Sequence, residues 1–275
     1  IGRRELVRDS GSYLTAEVAG EPTLVVRGDD GVLHGFFNVC RHRAAPLLTA
    51  ECGTATKLRC RYHGWTYDLA GRLRGTPEFE GVAEFQKEPN GLVPVHVAEW
   101  GPFVWLHLGE KPGPGEEFLA PLPPWVEARS AFDNLLWVAR RSYDLACNWK
   151  VYVDNYLDGG YHVNSVHPAL AGVLDYQQYT TTCHGRTVLQ ASPMTPAAGE
   201  TGRTRTGDLA AYWWVYPNFM LNIYSGVMDT NLVLPLGVDR CRVVFDFYFT
   251  ANADADFIRE SIAVAERVGC DQWRS

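Results

Sequence analysis

No run of about eighteen apolar residues, the length that crosses a bilayer as a helix, occurs in the 275-residue chain. A membrane partner is therefore not expected. Nor is there an excess of positive charge. Lys and Arg number 25 against 32 Asp and Glu, a net charge of −7, which argues against nucleic acid or an anionic membrane surface as partner. No signal peptide opens the chain, and it begins at Ile1 without a methionine, so the true N-terminus is expected to lie upstream. Disulfide spacing is missing too. Of seven cysteines, Cys52, Cys147, Cys183, Cys241 and Cys270 are scattered without pattern and read as reduced thiols of a cytoplasmic protein. Hydrophobic content of 46% and charged content of 21% are ordinary for a globular protein. The length exceeds the usual single domain, so two domains are expected.

The remaining two cysteines carry a pattern. Cys40-x-His42 and Cys60-x-x-His63 are separated by seventeen residues, and each cysteine is followed closely by a histidine. Two thiolates and two imidazoles on two short loops make a four-ligand metal site. Zinc accepts two Cys and two His, but zinc fingers group Cys with Cys and His with His. Alternation suits a two-iron cluster in which each loop gives a Cys to one iron and a His to the other, the ligand set of a Rieske [2Fe–2S] centre. The neutral imidazoles raise its potential to roughly −150 to +300 mV, so it takes up electrons and passes them on. The spacing, followed by Gly64-Trp65, resembles the Rieske signature.

Around these loops the chain reads as short strands. Tyr13–Val18, Pro22–Val26 and Val32–Phe37 are rich in β-branched and aromatic residues, punctuated by Gly20 and Asp29-Asp30-Gly31. Tyr67–Leu73 reads as a hairpin closed near Gly71, and Gly101–Leu108 as a last buried strand. His34, His96 and His107 lie in these segments without partners and read as ordinary core or surface residues. Residues 109–124, GEKPGPGEEFLAPLPP, are too rich in Pro and Gly to continue a strand or helix and read as a linker. The sequence thus predicts an all-β domain over 1–112 and a second domain over 113–275.

The second domain opens on a strand-like stretch, Asn134–Arg140, and continues into NWKVYVDNYLDGGYHVNSVHP from Asn148 to Pro168. Trp149, Tyr152, Val153 and Tyr156 recur at helical spacing, and Asn148 can cap such a helix. Gly159-Gly160 weakens it, at about 1 kcal/mol per glycine relative to alanine. His162 and His167, five apart, are off a common helical face unless the helix breaks between them, which Pro168 favours. Two histidines beside carboxylates after a helix break suggest the two-His-one-carboxylate triad of non-haem iron oxygenases. Farther on, Thr187–Gln190, Trp213–Tyr224, Asn231–Leu234 and Arg242–Phe249 look like strands, Pro193–Gly207 like a mobile loop, and Phe257–Val268 like a helix.

The chain resembles the α subunit of Rieske non-haem iron ring-hydroxylating oxygenases. DNYLDGGYHV and AYWWVYPNFMLNIY (Ala211–Tyr224) are similar to choline monooxygenase-like members. The resemblance implies an α+β architecture: an all-β Rieske domain, then a helix-grip catalytic domain of antiparallel sheet plus helices. It implies a [2Fe–2S] cluster, a mononuclear iron held by His162 and His167, O2 as oxidant, and NAD(P)H electrons delivered by a separate reductase, with or without a ferredoxin. It also implies a homotrimer or a multiple of it, with each cluster beside a neighbour's iron. An acidic residue just before the first histidine bridges to the neighbour's Rieske histidine in the family. Gly159 occupies the commonest position here, so Asp158 is the favoured carboxylate and Asp154 the weaker one.

One departure concerns the third iron ligand, which the resemblance places on the last helix within a Q-x-E-D-like stretch. No such stretch is present; Glu266 and Asp271 are the surviving candidates. The leading reading is a mono- or dioxygenase that hydroxylates or oxidatively demethylates a small substrate. A Rieske electron-transfer protein with a degenerate iron pocket and a zinc-stabilised binding module stand as alternatives. Tyr212, Trp213, Trp214, Tyr216 and Phe219 suit a flat aromatic ring or a quaternary ammonium, although at least half of them read as sheet core.

Overall fold

Thr23-Leu24-Val25-Val26 is buried throughout, which a strand achieves only when both of its faces are covered. Successive side chains point to opposite faces. Leu24 and Val26 accordingly join Tyr13, Phe36, Cys40, Cys60, Trp65 and Tyr67 in one apolar cluster, while Val25 joins Val7, Leu14 and Val104 in another. The computed structural model describes residues 1–110, 112–161, 172–195 and 203–270, in two compact units, Ile1–Gly115 and Glu116–Ser275.

The first unit is built from β1 (Gly2–Arg3), β2 (Ser12–Val18), β3 (Glu21–Arg27), β4 (Leu33–Phe37), β5 (Cys52–Thr54), β6 (Leu58–Arg59), β7 (Thr66–Tyr67), β8 (Leu73–Gly75), β9 (Pro94–Trp100) and β10 (Phe103–His107). A seven-stranded sheet runs β1-β10-β9-β4-β3-β2-β5, and β6-β7-β8 form a separate three-stranded sheet. The pairings are antiparallel. The turn between β7 and β8 brings Gly71 against Phe36. Its φ is +79°, and a Cβ there would lie 2.5 Å from the Phe36 ring, so only glycine fits.

The second unit is one antiparallel sheet with helices. It contains α1 (Gly115–Leu119), α2 (Leu122–Glu127), β11 (Leu135–Leu145), α3 (Trp149–Leu157), β12 (Thr180–His184), β13 (Thr187–Pro193), β14 (Leu209–Val215), β15 (Phe219–Tyr224), β16 (Val227–Pro235), β17 (Cys241–Thr250) and α4 (Ala255–Cys270). The sheet order is β11-β17-β16-β15-β14-β13-β12. One face carries Phe245, Phe247, Phe249, Val243, Met220 and Tyr212, against which Tyr152 and Val153 of α3 and Ile262 and Ala265 of α4 pack. Asn148 caps α3, its side chain accepting from Lys150 N–H at 3.0 Å. Asp254 does the same for α4, accepting from Phe257 N–H at 2.8 Å.

Residues 115–124 are more ordered than their composition suggests, because α1 and α2 form within and just beyond that stretch. Pro123 and Pro124 fall in the first turn of α2, where the missing N–H has no intrahelical partner to lose. The segment 213–224 is two strands rather than one: Pro217 cannot donate to a ladder, and the chain turns there between β14 and β15. The end of the supposed mobile loop is fixed instead, since Thr204 and Arg205 are buried.

Candidate metal centres

The two Cys/His loops are geometric copies. Cys40 N–H donates to Ala45 O at 2.9 Å and Ala44 N–H to Cys40 O at 3.0 Å. Cys60 N–H donates to Trp65 O at 2.8 Å and Gly64 N–H to Cys60 O at 3.0 Å. The fifth residue of each loop is left-handed, Ala44 at φ +55° and Gly64 at φ +74°. This doubling of backbone bonds places both cysteines on the inside, at 1% and 2% exposure. The histidines lie nearer the surface, their ring centroids 4.6 Å apart. His42 stacks on Trp65 at 4.9 Å and 8°, Phe79 meets His42 and Trp65 edge-on, and Tyr62 stacks on His63 at 3.9 Å. Asn38 braces the chain after the first loop, accepting from Leu47 and Leu48 N–H and donating to Leu48 O at 2.6 Å.

The electrostatics suit a metal cluster. His42 Nδ1 is buried without a hydrogen-bond partner, a costly state for a polar atom unless something else binds its lone pair. Burial lowers the His42 imidazole below its ordinary value, helped by His63 and Arg43, which favours the neutral ligating form. Burial raises the Cys40 thiol against the pull of a hydrogen bond with Tyr67, so a thiolate here asks for a bound cation. Among the described residues no three His, Cys, Asp or Glu side chains gather as a single-ion site. A bridged iron pair spreads four ligands over two metals and asks for no such gathering.

His162, His167 and Asp271 lie outside the described residues. The approach to them is clear. Helix α3 ends at Leu157, Asp158 is its exposed C-cap, and Gly159 adopts φ +70°, the left-handed turn that terminates helices. Gly160 is required for another reason: a Cβ there would meet the Tyr176 ring at 2.8 Å and Tyr179 at 3.0 Å. Asp154 is exposed. Glu266 is engaged elsewhere, accepting from the Tyr143 hydroxyl with Arg141 at 3.7 Å, and so ties α4 to β11.

Beneath α3 lies a polar chain that sequence reasoning missed. Tyr156 Oη donates to Asn222 Oδ1 at 2.9 Å, and Asn222 Nδ2 donates to Asp229 Oδ2 at 2.6 Å. Tyr224 Oη donates to Tyr212 Oη at 3.1 Å, and the buried Arg205 guanidinium lies 4.8 Å from the Tyr224 ring centroid. Asp229 is 2% exposed; burial raises its carboxyl, with Arg205 and Asn222 pulling the other way. Asn222 and Asp229 are direct cross-strand partners. The available signal was Asp229-x-Asn231 in step with the apolar face of β16. Of the aromatic run, Tyr212 and Trp214 belong to the core beneath α3 and α4, Trp213 meets Trp125 edge-on at 5.6 Å, and Tyr216 is exposed.

Residues 132–272 match the family described as ring hydroxylating alpha subunit (catalytic domain), and residues 2–86 the Rieske [2Fe-2S] domain. The chain belongs to the ring-hydroxylating α-subunit family. This α-subunit homologue is 38% identical to chloroplastic choline monooxygenase of Arabidopsis thaliana over 280 residues, covering 98% of this chain and 66% of the relative. It is 33% identical to the carnitine monooxygenase oxygenase subunit of Escherichia coli K12, covering 88% and 66%. It also resembles the solved quaternary ammonium Rieske monooxygenase CntA, with TM-score 0.86, 28% identity, and coverage of 98% of this chain and 73% of that one. The chain therefore spans just under two thirds of these two curated relatives. The fold is shared with naphthalene 1,2-dioxygenase at TM-score 0.77 and 20% identity. The antiparallel sheets with few helices are the Rieske and catalytic domains of an α subunit. No helix among the described residues is long and apolar enough to cross a membrane.

Proposed function

We propose that the chain is the terminal component of a Rieske oxygenase acting on a quaternary ammonium compound. The observation that carries this is the pair of duplicate loops with buried Cys40 and Cys60 and a partnerless His42 Nδ1 beside His63, in a chain whose second part matches the catalytic domain. Cys40 and Cys60 would hold one iron of the cluster, His42 and His63 the other, and His162 and His167 the mononuclear iron. That second iron, when bound, supplies oxygen activation for C–H hydroxylation or demethylation. The protein groups do the rest. The buried loops fix the ligands, the exposed histidine edge offers electrons a way out, and Asp158 would accept hydrogen bonds from imidazoles on two subunits of a trimer. Electrons would come from NAD(P)H through a reductase, in a reducing compartment such as the cytoplasm.

The substrate reading rests on the chain beneath α3. Tyr212 offers a face for cation–π attraction, as Tyr224 already does for the Arg205 guanidinium, and Asp229 adds a buried acid near that cation. Turnover assays with reductase, O2 and a panel of trimethylammonium compounds and simple arenes test this. Oxygen uptake coupled to arene oxidation, with none on the ammonium panel, would overturn the substrate assignment. A colourless protein holding stoichiometric zinc and no sulfide would overturn the oxygenase.

A further inference from the structure

Cys147 and Cys241 of the second unit face one another, Sγ to Sγ, at 3.9 Å. The fold brings them together. Leu145 at the end of β11 is the cross-strand partner of Cys241 at the start of β17, and Cys147 follows two residues on, in the bend that leads to α3. Cys241 is fully buried, whereas Cys147 is half-buried at the margin of the same apolar cluster. Cys52 and Cys183 are exposed on other strands.

We propose that this pair is an oxidative modification site, forming an intramolecular disulfide when the protein meets a hydroperoxide. The Cys147 sulfur, the accessible one, attacks the terminal peroxide oxygen. The O–O bond breaks, leaving a sulfenic acid on Cys147 and water or an alcohol. The Cys241 sulfur then displaces the sulfenic oxygen, and its proton leaves with that oxygen as water. Two thiols lose two electrons and the peroxide gains them. Closing the gap to a disulfide bond of about 2.05 Å needs the sulfurs to approach by roughly 2 Å, which side-chain rotation at the half-buried Cys147 supplies. Burial and the neighbouring Cys147 push the Cys241 thiol up to about 12, in keeping with Cys147 reacting first.

The site has a mechanical consequence. Asn148, next to Cys147, both caps α3 and donates to Val238 O at 2.6 Å. The disulfide would fasten the head of α3 to the segment entering β17, across a loop whose closure restricts the unfolded chain.

The test uses the purified holoprotein, exposed to stoichiometric hydrogen peroxide, alkylated, and digested with trypsin without reduction. The expected product is peptide 142–150 joined to 241–242, lighter by two hydrogens than the reduced pair and released by dithiothreitol. The unfolding midpoint should rise by about 5 °C on oxidation and fall back on reduction, with no shift in Cys147→Ser. Cys241→Ala should trap Cys147 as the sulfenic acid, detectable with dimedone. Recovery of Cys147 as a sulfinic acid beside an alkylated Cys241, or joined to Cys52 or Cys183, would overturn the proposal.

Discussion

The Tyr67 hydroxyl lies 3.4 Å from Cys40 Sγ while accepting a hydrogen bond from Arg41 N–H at 3.1 Å. With one lone pair taken, its proton is directed at the sulfur. Burial raises the phenol far above its ordinary value, with Cys40 adding to the shift, so it stays a donor. A donor to cluster sulfur favours the more electron-rich reduced state and raises the potential. Tyr67→Phe should keep the cluster and lower its midpoint by an amount on the order of tens of millivolts. Spectroelectrochemical titration measures this; an unchanged midpoint removes the hydroxyl from the tuning.

Replacing either His162 or His167 with Ala should abolish the mononuclear iron and turnover, because two imidazoles and one carboxylate leave no spare ligand. The visible and EPR spectra of the Rieske cluster should remain, as its loops lie in the other compact unit. Metal analysis beside turnover decides the matter. Normal hydroxylation in His162→Ala would remove it from the ligand set.

Asp158→Asn should leave both metals and the oligomer in place while slowing electron transfer to the catalytic iron by orders of magnitude. The amide nearly preserves shape but loses the charge that, in the proposed role, would hold two imidazole N–H donors. Single-turnover oxidation of the reduced cluster, with substrate and O2, reads the rate. Wild-type kinetics would pass the role to Asp154.

Gly160→Ala should destabilise the fold by about 1–3 kcal/mol, the typical cost of overpacking, because the new methyl meets the Tyr176 ring. Gly159→Ala carries instead the left-handed backbone cost of about 1–2 kcal/mol. Urea unfolding of the two variants measures both. Neutrality of Gly160→Ala would show that Tyr176 swings away.

Asp229 ties stability to pH. Burial raises its folded-state value above the ordinary 3.8, so the proton is bound more tightly in the fold than in the unfolded chain. Its stabilising share is therefore complete below the unfolded value and lost as pH rises through the raised folded one. Asp229→Asn should flatten that decline in urea midpoints and, under the proposed substrate reading, should also raise KM for a trimethylammonium substrate. An unaltered KM would place the cation elsewhere.

Much of the first unit was legible because its chemistry is local: the Cys/His spacing, the turn glycines and alternating strands each report on a few consecutive residues. Helix α3 was legible for the same reason, through Asn148 and the spacing of Trp149, Tyr152, Val153 and Tyr156. The pairing of Asn222 with Asp229, the seating of Arg205 on Tyr224 and the meeting of Cys147 with Cys241 were not. Each is set by strand register or by chain segments far apart in sequence, and periodicity along one segment carries no record of its partner. Gly160 shows the same limit: its helix-weakening effect could be read, but not the tyrosine ring that forbids a side chain there.

The duplicate closure of the two loops bears on speed as well as position. An electron moves at small driving force only if its donor changes shape little when the charge changes. Cys40 and Cys60 are each held by a pair of backbone hydrogen bonds, and His42 is wedged on Trp65. A cluster held by these residues would meet side chains whose geometry the chain has already set, and little reorganisation would be left for the moment of transfer.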